Sequence, residues 1–236
     1  MQGELERALA YVADGPVRVH CAGRTDTGVH ASGQVIHFDA PLSRSLKAWV
    51  LGTNTHLPPS IRVLGASVVP AQFHARFSAL SRRYRYIISN TRVRPAILYG
   101  QLTWQRSPLD DELMHVEAQS LLGERDFTSF RAASCQATTA MRNVQSIDVS
   151  RRGCLVTIDI QANAFLHHMV RNIAGSLMAV GTGRASRGWL AQLLELKDRS
   201  KAADTAPPHG LYLVKVEYPS VYGLLEQPIG PLLLGG

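Results

Sequence analysis

A chain of 236 residues with 45% hydrophobic and 18% charged residues is long enough to bury a core and too apolar to be a disordered polymer. Its formal charge of +7 permits a phosphate-rich partner without requiring one. The three cysteines, Cys21, Cys135 and Cys154, are far apart and include no Cys-x-x-Cys pair, which argues against a zinc site or a disulfide framework and suits a reducing, cytoplasmic setting.

Leu5, Ala8, Leu9 and Val12 fall on one face of a predicted helix from Gln2 to Ala13, so the first residues read as a helix rather than a leader peptide. Strands are predicted over Val17 to Gly23 and Gln34 to Phe38, with a loop from Arg24 to Ala31 between them. Ser43 is placed to cap a helix running to about Asn54, which Pro58-Pro59 ends. Ile61 to Val69 reads as a further strand. So does Ser81 to Ser89, whose alternation sets Arg83, Arg85 and Ile87 on one side and Arg82, Tyr84, Tyr86 and Ile88 on the other. Asn90 to Gly100 reads as a connection between two halves.

In the second half Pro108 opens a helix to about Leu122, with Leu113, Val116, Glu117, Ser120 and Leu121 at helical spacing. Phe127 to Phe130 leads into a loop with Arg131 and Cys135. Val144 to Ser150 and Leu155 to Ala162 form a predicted antiparallel pair joined at Arg152-Gly153. Phe165 to Val180 reads as a helix burying Leu166, Met169, Val170, Ile173 and Leu177. Ser186 caps a shorter helix, Leu211 to Tyr218 is the last strand, and the tail ends apolar over Ile229 to Leu234. The longest apolar stretch, Ala162 to Val180, carries two His, one Arg and two Asn, too polar for a membrane span. The element order implies an α+β fold of two similar α/β halves, residues 1–105 and 106–236, sharing a mostly antiparallel sheet around a central basic cleft.

Asp26 has no other carboxylate within ten residues on either side, so the loop lacks the acid pair that glycoside-type hydrolysis uses. A lone carboxylate among arginines suits a nucleophile, or simply a salt bridge within a turn. Arg171, in a helix of buried character, needs an anionic partner or a place on the polar face. Tyr84 amid Arg82, Arg83 and Arg85 forms a basic strand able to stack a base and hold phosphates; a core tyrosine with solvated arginines is the alternative. His167 and His168, read as helix neighbours about 100° apart with no acidic residue three or four positions away, do not read as a metal site. Gly181-Thr182-Gly183 lacks the lysine of a phosphate loop.

Ala22-Gly23-Arg24-Thr25-Asp26-Thr27-Gly28-Val29-His30-Ala31 resembles the signature of the tRNA pseudouridine synthase A family. Phe73 to Ser78 followed by Arg82 to Tyr86, Asp126 to Phe130, Asn163 to Phe165 with His168 to Asn172, and Gly210 to Leu213 are similar to its later motifs, in order along nearly the whole chain. The resemblance implies a pseudouridine synthase fold and isomerisation of uridines in the anticodon stem-loop of tRNA. It implies Asp26 as nucleophile, Tyr84 as the residue stacked on the target uracil, and Arg171 as the cation paired with Asp26. Arg24 would help hold the flipped nucleotide, and Leu211 or Leu213 would line the base pocket. Arg76, Arg82, Arg83, Arg85 and His168 would contact RNA. It further implies a homodimer that clasps tRNA, with no cofactor, metal or membrane. One departure stands out: the family opens with a strand and a Gly-, Tyr- and Trp-containing segment, whereas this sequence starts at the first helix, an arrangement expected to leave sheet edges unpaired.

Overall fold

The computed structural model of the chain describes residues 1–226 and 228–234. It forms two compact units interleaved in sequence: residues 1–24, 34–80 and 217–228 make the first, and residues 25–33, 81–216 and 229–236 the second. The division expected at residue 105 was one of chain order. The compact units instead pass the chain back and forth, and the segment with Asp26 belongs to the second.

In the first unit, helix α1 (Gln2–Ala13) has the predicted bounds and buries Leu5, Ala8, Leu9 and Ala13. Strand β1 (His20–Cys21) pairs antiparallel with β3 (Ile36–His37), each only two residues of the longer strands expected. Helix α2 (Leu46–His56) packs Trp49 into the same core as Leu9, Val17 and Val19. Its cap is Ser45 rather than the expected Ser43, because the Ser45 hydroxyl accepts the Ala48 N–H at 3.1 Å. Residues 61–69, expected to be a strand, join no ladder. Instead Asn54 on α2 holds them, accepting the Val63 N–H and donating to its carbonyl, both at 2.8 Å. Alternation there reflects half-burial on a helix, not pairing.

His37 sits opposite His20 and is flanked by His74, with ring centroids 5.0 and 4.5 Å away. Burial, and then the two neighbouring imidazoles, holds its pKa below the ordinary value against the pull of Asp39. Its Nδ1 accepts the Ala75 N–H at 3.1 Å, so the neutral ring is the bonded form. A depressed histidine pKa means the unfolded chain takes up a proton first, so stability is lost as pH falls through the imidazole range. Thermal melts between about pH 7.5 and about pH 5.5 should show a steeper drop for the wild type than for His37→Asn.

The second unit is built on a seven-stranded mixed sheet. It contains β2 (His30–Ala31), β4 (Ser81–Asn90), β5 (Thr103–Gln105), β6 (Gly123–Asp126), β7 (Met141–Arg152), β8 (Leu155–Ala162) and β9 (Leu211–Glu217). The order is β2-β9-β4-β8-β7-β6, with β5 beside β4. The β4–β8, β8–β7 and β7–β6 pairs are antiparallel, while β2–β9 and β4–β5 are parallel. Helices α3 (Asp111–Ala118), α4 (Met169–Gly181) and α5 (Trp189–Leu196) pack on one face over Tyr86, Ile88, Ile158 and Ile160.

The α3 start lies at Asp110, whose carboxylate caps Leu113 N–H at 2.8 Å, rather than at Pro108. Val116, expected inside, is exposed; Met114, Glu117 and Ala118 face inward. Buried Glu117 accepts the Gly188 N–H at 2.6 Å and so caps α5 from another element. The apolar tail also has a task within the chain: Ile229, Leu233 and Leu234 cover Ile87, Tyr212 and Val214 on the sheet's other face. No helix among the described residues is long and apolar enough to cross a membrane.

Candidate active site

The Asp26 loop is fixed at both ends by backbone. The Asp26 carbonyl accepts the Val29 N–H at 3.0 Å, closing a turn. Gly28 takes φ 84° with Pro208 and His209 packed 3.0–3.3 Å from where a Cβ would stand, so a side chain there meets both strain and crowding. Strand β2 then lies parallel to β9, with His30 opposite Tyr212 and Ala31 opposite Leu213. The His30 ring stacks on Tyr212 at 4.7 Å and donates through Nε2 to the Gly100 carbonyl at 3.1 Å.

Arg171 reaches this loop from α4. The helix is buried nearly all round, not on one face as its apolar spacing suggested: Asn172 and Ser176 are as buried as Ile173 and Leu177. Arg171 is the one α4 residue that is not buried. Its Nη1 lies 3.1 Å from Asp26 Oδ2, while its Nε donates to the Ala206 carbonyl at 2.8 Å. The Ala206 N–H in turn donates to the Arg171 carbonyl at 3.1 Å. The guanidinium is therefore aimed by a strap of backbone, not only by the charge it meets.

Two neighbouring features hold that strap. Buried Asn172 donates to the Phe130 carbonyl at 2.8 Å and accepts from Thr205 and Arg199 at 2.7 and 3.1 Å. Gly175 lets the strap lie against the helix, since a Cβ there would run into the Asp204 carbonyl. Gly175→Ala should cost about 1–3 kcal/mol, the range for overpacking a filled interior. Denaturant unfolding should show that loss.

Helix α4 begins at Met169, not Phe165, and this changes the local chemistry. Asn163 turns the chain after β8, its Oδ1 accepting the Asn143 and Ala164 N–H groups at 3.0 and 2.8 Å. His168 adopts a left-handed φ of 61°. His167 and His168 are thus not successive helical positions, and both turn toward Asp26. His167 Nε2 lies 3.2 Å from Oδ1, and His168 Nε2 lies 3.1 Å from Oδ2. Burial first, then the charges of His167 and Arg171, keep His168 below the ordinary imidazole pKa against the pull of Asp26. His167 Nδ1 is 3.0 Å from Ser134 Oγ, and its N–H points to Cys135 Sγ at 3.4 Å. Burial alone would raise the Cys135 thiol pKa. The Ala137 and His167 amides and the Arg131 charge outweigh it and hold the thiol below its usual value.

The other candidate residues are placed as follows. Tyr84 on β4 is half-buried and meets Phe165 edge-on at 5.1 Å, against the core that also contains Val29 and Val170. Leu211 is buried in that core, and Leu213 is sealed inside with no exposed surface. Arg83 and Arg85 both grip Asp159 on the facing strand, at 2.6–2.9 and 2.7 Å. Arg82 donates to the Asn163 carbonyl at 3.1 Å. Arg24 and Arg76 belong to the first unit and are exposed, Arg76 lying over the Phe77 ring at 5.4 Å. The sequence sets His167 aside as a helix neighbour of His168 and gives no sign of Ser134, yet the two meet beside Asp26. Asn163, a turn-former ahead of the histidine pair, was the available sign that the helix starts later.

A family model described as tRNA pseudouridine synthase matches residues 118–219, and the mixed α+β fold is consistent with it. Over 234 residues, 99% of this chain, the sequence is 57% identical to a tRNA pseudouridine synthase A from Shewanella amazonensis, of which 90% is covered. It is 58% identical to one from Photorhabdus laumondii, and 56% identical to one from Legionella pneumophila strain Corby, over the same share of the chain and 89% of each relative. The chain belongs to the tRNA pseudouridine synthase A family.

Proposed function

We propose that this protein isomerises uridine to pseudouridine in the anticodon stem-loop of tRNA, with Asp26 as nucleophile. The observation that carries the reading is the ion pair between Asp26, on a turn docked to β9, and Arg171, the one α4 residue that is not buried. A carboxylate held by a guanidinium in a partly desolvated setting is poised to add to an electron-poor carbon.

The N1–C1′ bond of the uridine breaks, the uracil turns, and C5 joins C1′. The C5 proton leaves and N1 gains one, so substrate and product are isomers and no redox carrier or energy source is consumed. Asp26 adds either to C1′ or to C6 of the ring. The uridine must first leave its stack, at a cost of roughly a few kcal/mol. Tyr84 would face the ring, Arg24 would hold the displaced nucleotide, and Leu211 would back the base, since Leu213 has no exposed surface. Arg76, Arg82, Arg83, Arg85 and His168 would contact the RNA, with Arg83 and Arg85 acting as an anchored pair. We further propose a cytoplasmic homodimer.

Incubation of the purified chain with an unmodified tRNA transcript, followed by mapping of pseudouridine, tests this. New pseudouridine confined to the anticodon stem-loop is the expected result. Tight, salt-sensitive tRNA binding without conversion would point instead to a non-catalytic RNA-binding protein.

A further inference from the structure

We propose that Asp26, His167 and His168 form a binding site for a late first-row divalent cation, of which Zn²⁺ is the expected occupant. The three side chains each offer one ligand atom, and these atoms all lie within 4.8 Å of one another. Around a tetrahedral Zn²⁺ with bonds near 2.0–2.1 Å, ligand atoms stand roughly 3.3 Å apart. His167 Nε2 stands 3.2 Å from Asp26 Oδ1, and His168 Nε2 stands 3.1 Å from Oδ2. Rotation of the His168 ring from Oδ2 toward Oδ1 brings two nitrogens and one oxygen onto a common ion, with the fourth position open.

The surroundings support that chemistry. Ser134 Oγ lies 3.0 Å from His167 Nδ1, so a ring that donates Nδ1–H to the hydroxyl leaves its Nε2 lone pair aimed at Asp26. A histidine oriented through its far nitrogen is the usual outer-shell arrangement at metal centres. Arg171 engages Oδ2 while held from behind by the Ala206 carbonyl, which leaves Oδ1 to the ion. Two imidazoles and one carboxylate oxygen suit Zn²⁺ or Co²⁺, whereas Mg²⁺ and Ca²⁺ call for oxygen shells.

The consequence for activity rests on the nucleophile reading above. An ion on Oδ1 occupies the electron pair that would attack the nucleotide, so the cation acts as an inhibitor.

The full chain, stripped with a chelator, would be titrated with Co²⁺ in thiol-free buffer and then with Zn²⁺ by calorimetry. One equivalent should bind with visible d–d absorption, and millimolar Mg²⁺ should not displace it. His167→Ala and His168→Ala should each weaken binding at least about tenfold, and Ser134→Ala by about tenfold. Circular dichroism would show that each variant is folded, and Asp26→Asn provides an isosteric variant expected to lose the ion as well. Absence of binding, unchanged affinity in both histidine variants, or a sulfur-to-cobalt band abolished by Cys135→Ser would overturn the site. Zn²⁺ should also stop tRNA conversion, with chelator restoring it. Histidine-dependent binding that leaves conversion untouched would keep the site and remove Asp26 from the nucleophile's role.

Discussion

Asp26→Asn should abolish pseudouridine formation while leaving tRNA affinity near the wild-type value. The substitution keeps the shape of the side chain, and the turn itself is held by the Asp26 carbonyl and Gly28 rather than by the carboxylate. Structural damage is therefore small, and what is lost is the anion that would add to the nucleotide. Loss of a nucleophile from a working constellation lowers turnover by about a thousandfold or more. Single-turnover conversion of a tRNA transcript, read beside a filter-binding isotherm, separates the two effects. Residual conversion within tenfold of wild type would remove Asp26 from that role.

The second large effect is expected at Arg171. Lysine preserves the charge but presents a single ammonium, so it cannot meet Asp26 and the Ala206 carbonyl together as the guanidinium does. Arg171→Lys should lower kcat by about 10²-fold, the scale on which an ångström of misplacement acts, with a much smaller change in tRNA affinity. Arg171→Ala removes the pair altogether. It should lower kcat further and cost about 1–3 kcal/mol of stability, because a partly buried carboxylate loses its guanidinium partner. Equal losses for Lys and Ala would mean that orientation, not charge, is what the carboxylate needs. Full activity in Arg171→Lys would show the Ala206 strap to be irrelevant to chemistry.

Where local rules decide, sequence and structure agree. Helix α1 has its predicted ends because one apolar stripe and a polar remainder leave a single solution. Strand β4 and the β7–β8 hairpin follow from alternation and a glycine turn. The failures fall where distant partners decide. The alternation over 61–69 is real, but its partner is a side chain on α2. Apolar spacing runs smoothly through Phe165 to Val180, yet a left-handed backbone at His168 delays the helix and redirects two imidazoles. Arg83 and Arg85 share Asp159 because of cross-strand register, with Arg85 directly opposite it, which single-strand alternation does not encode. The proximity of Asp26 to Arg171 spans 145 residues and came from resemblance to a family, since spacing alone offered a bland turn equally well.

The pairing of β2 with β9 sets an order of events during synthesis. Residues 30–31 have their partner strand only when residues 211–217 exist, and β9 also separates β2 from β4 in the sheet. Pairings this distant in sequence close late and slowly. A nascent chain still short of β9 therefore holds Asp26 on an undocked segment, and the arrival of residues 211–217 is what arms the protein.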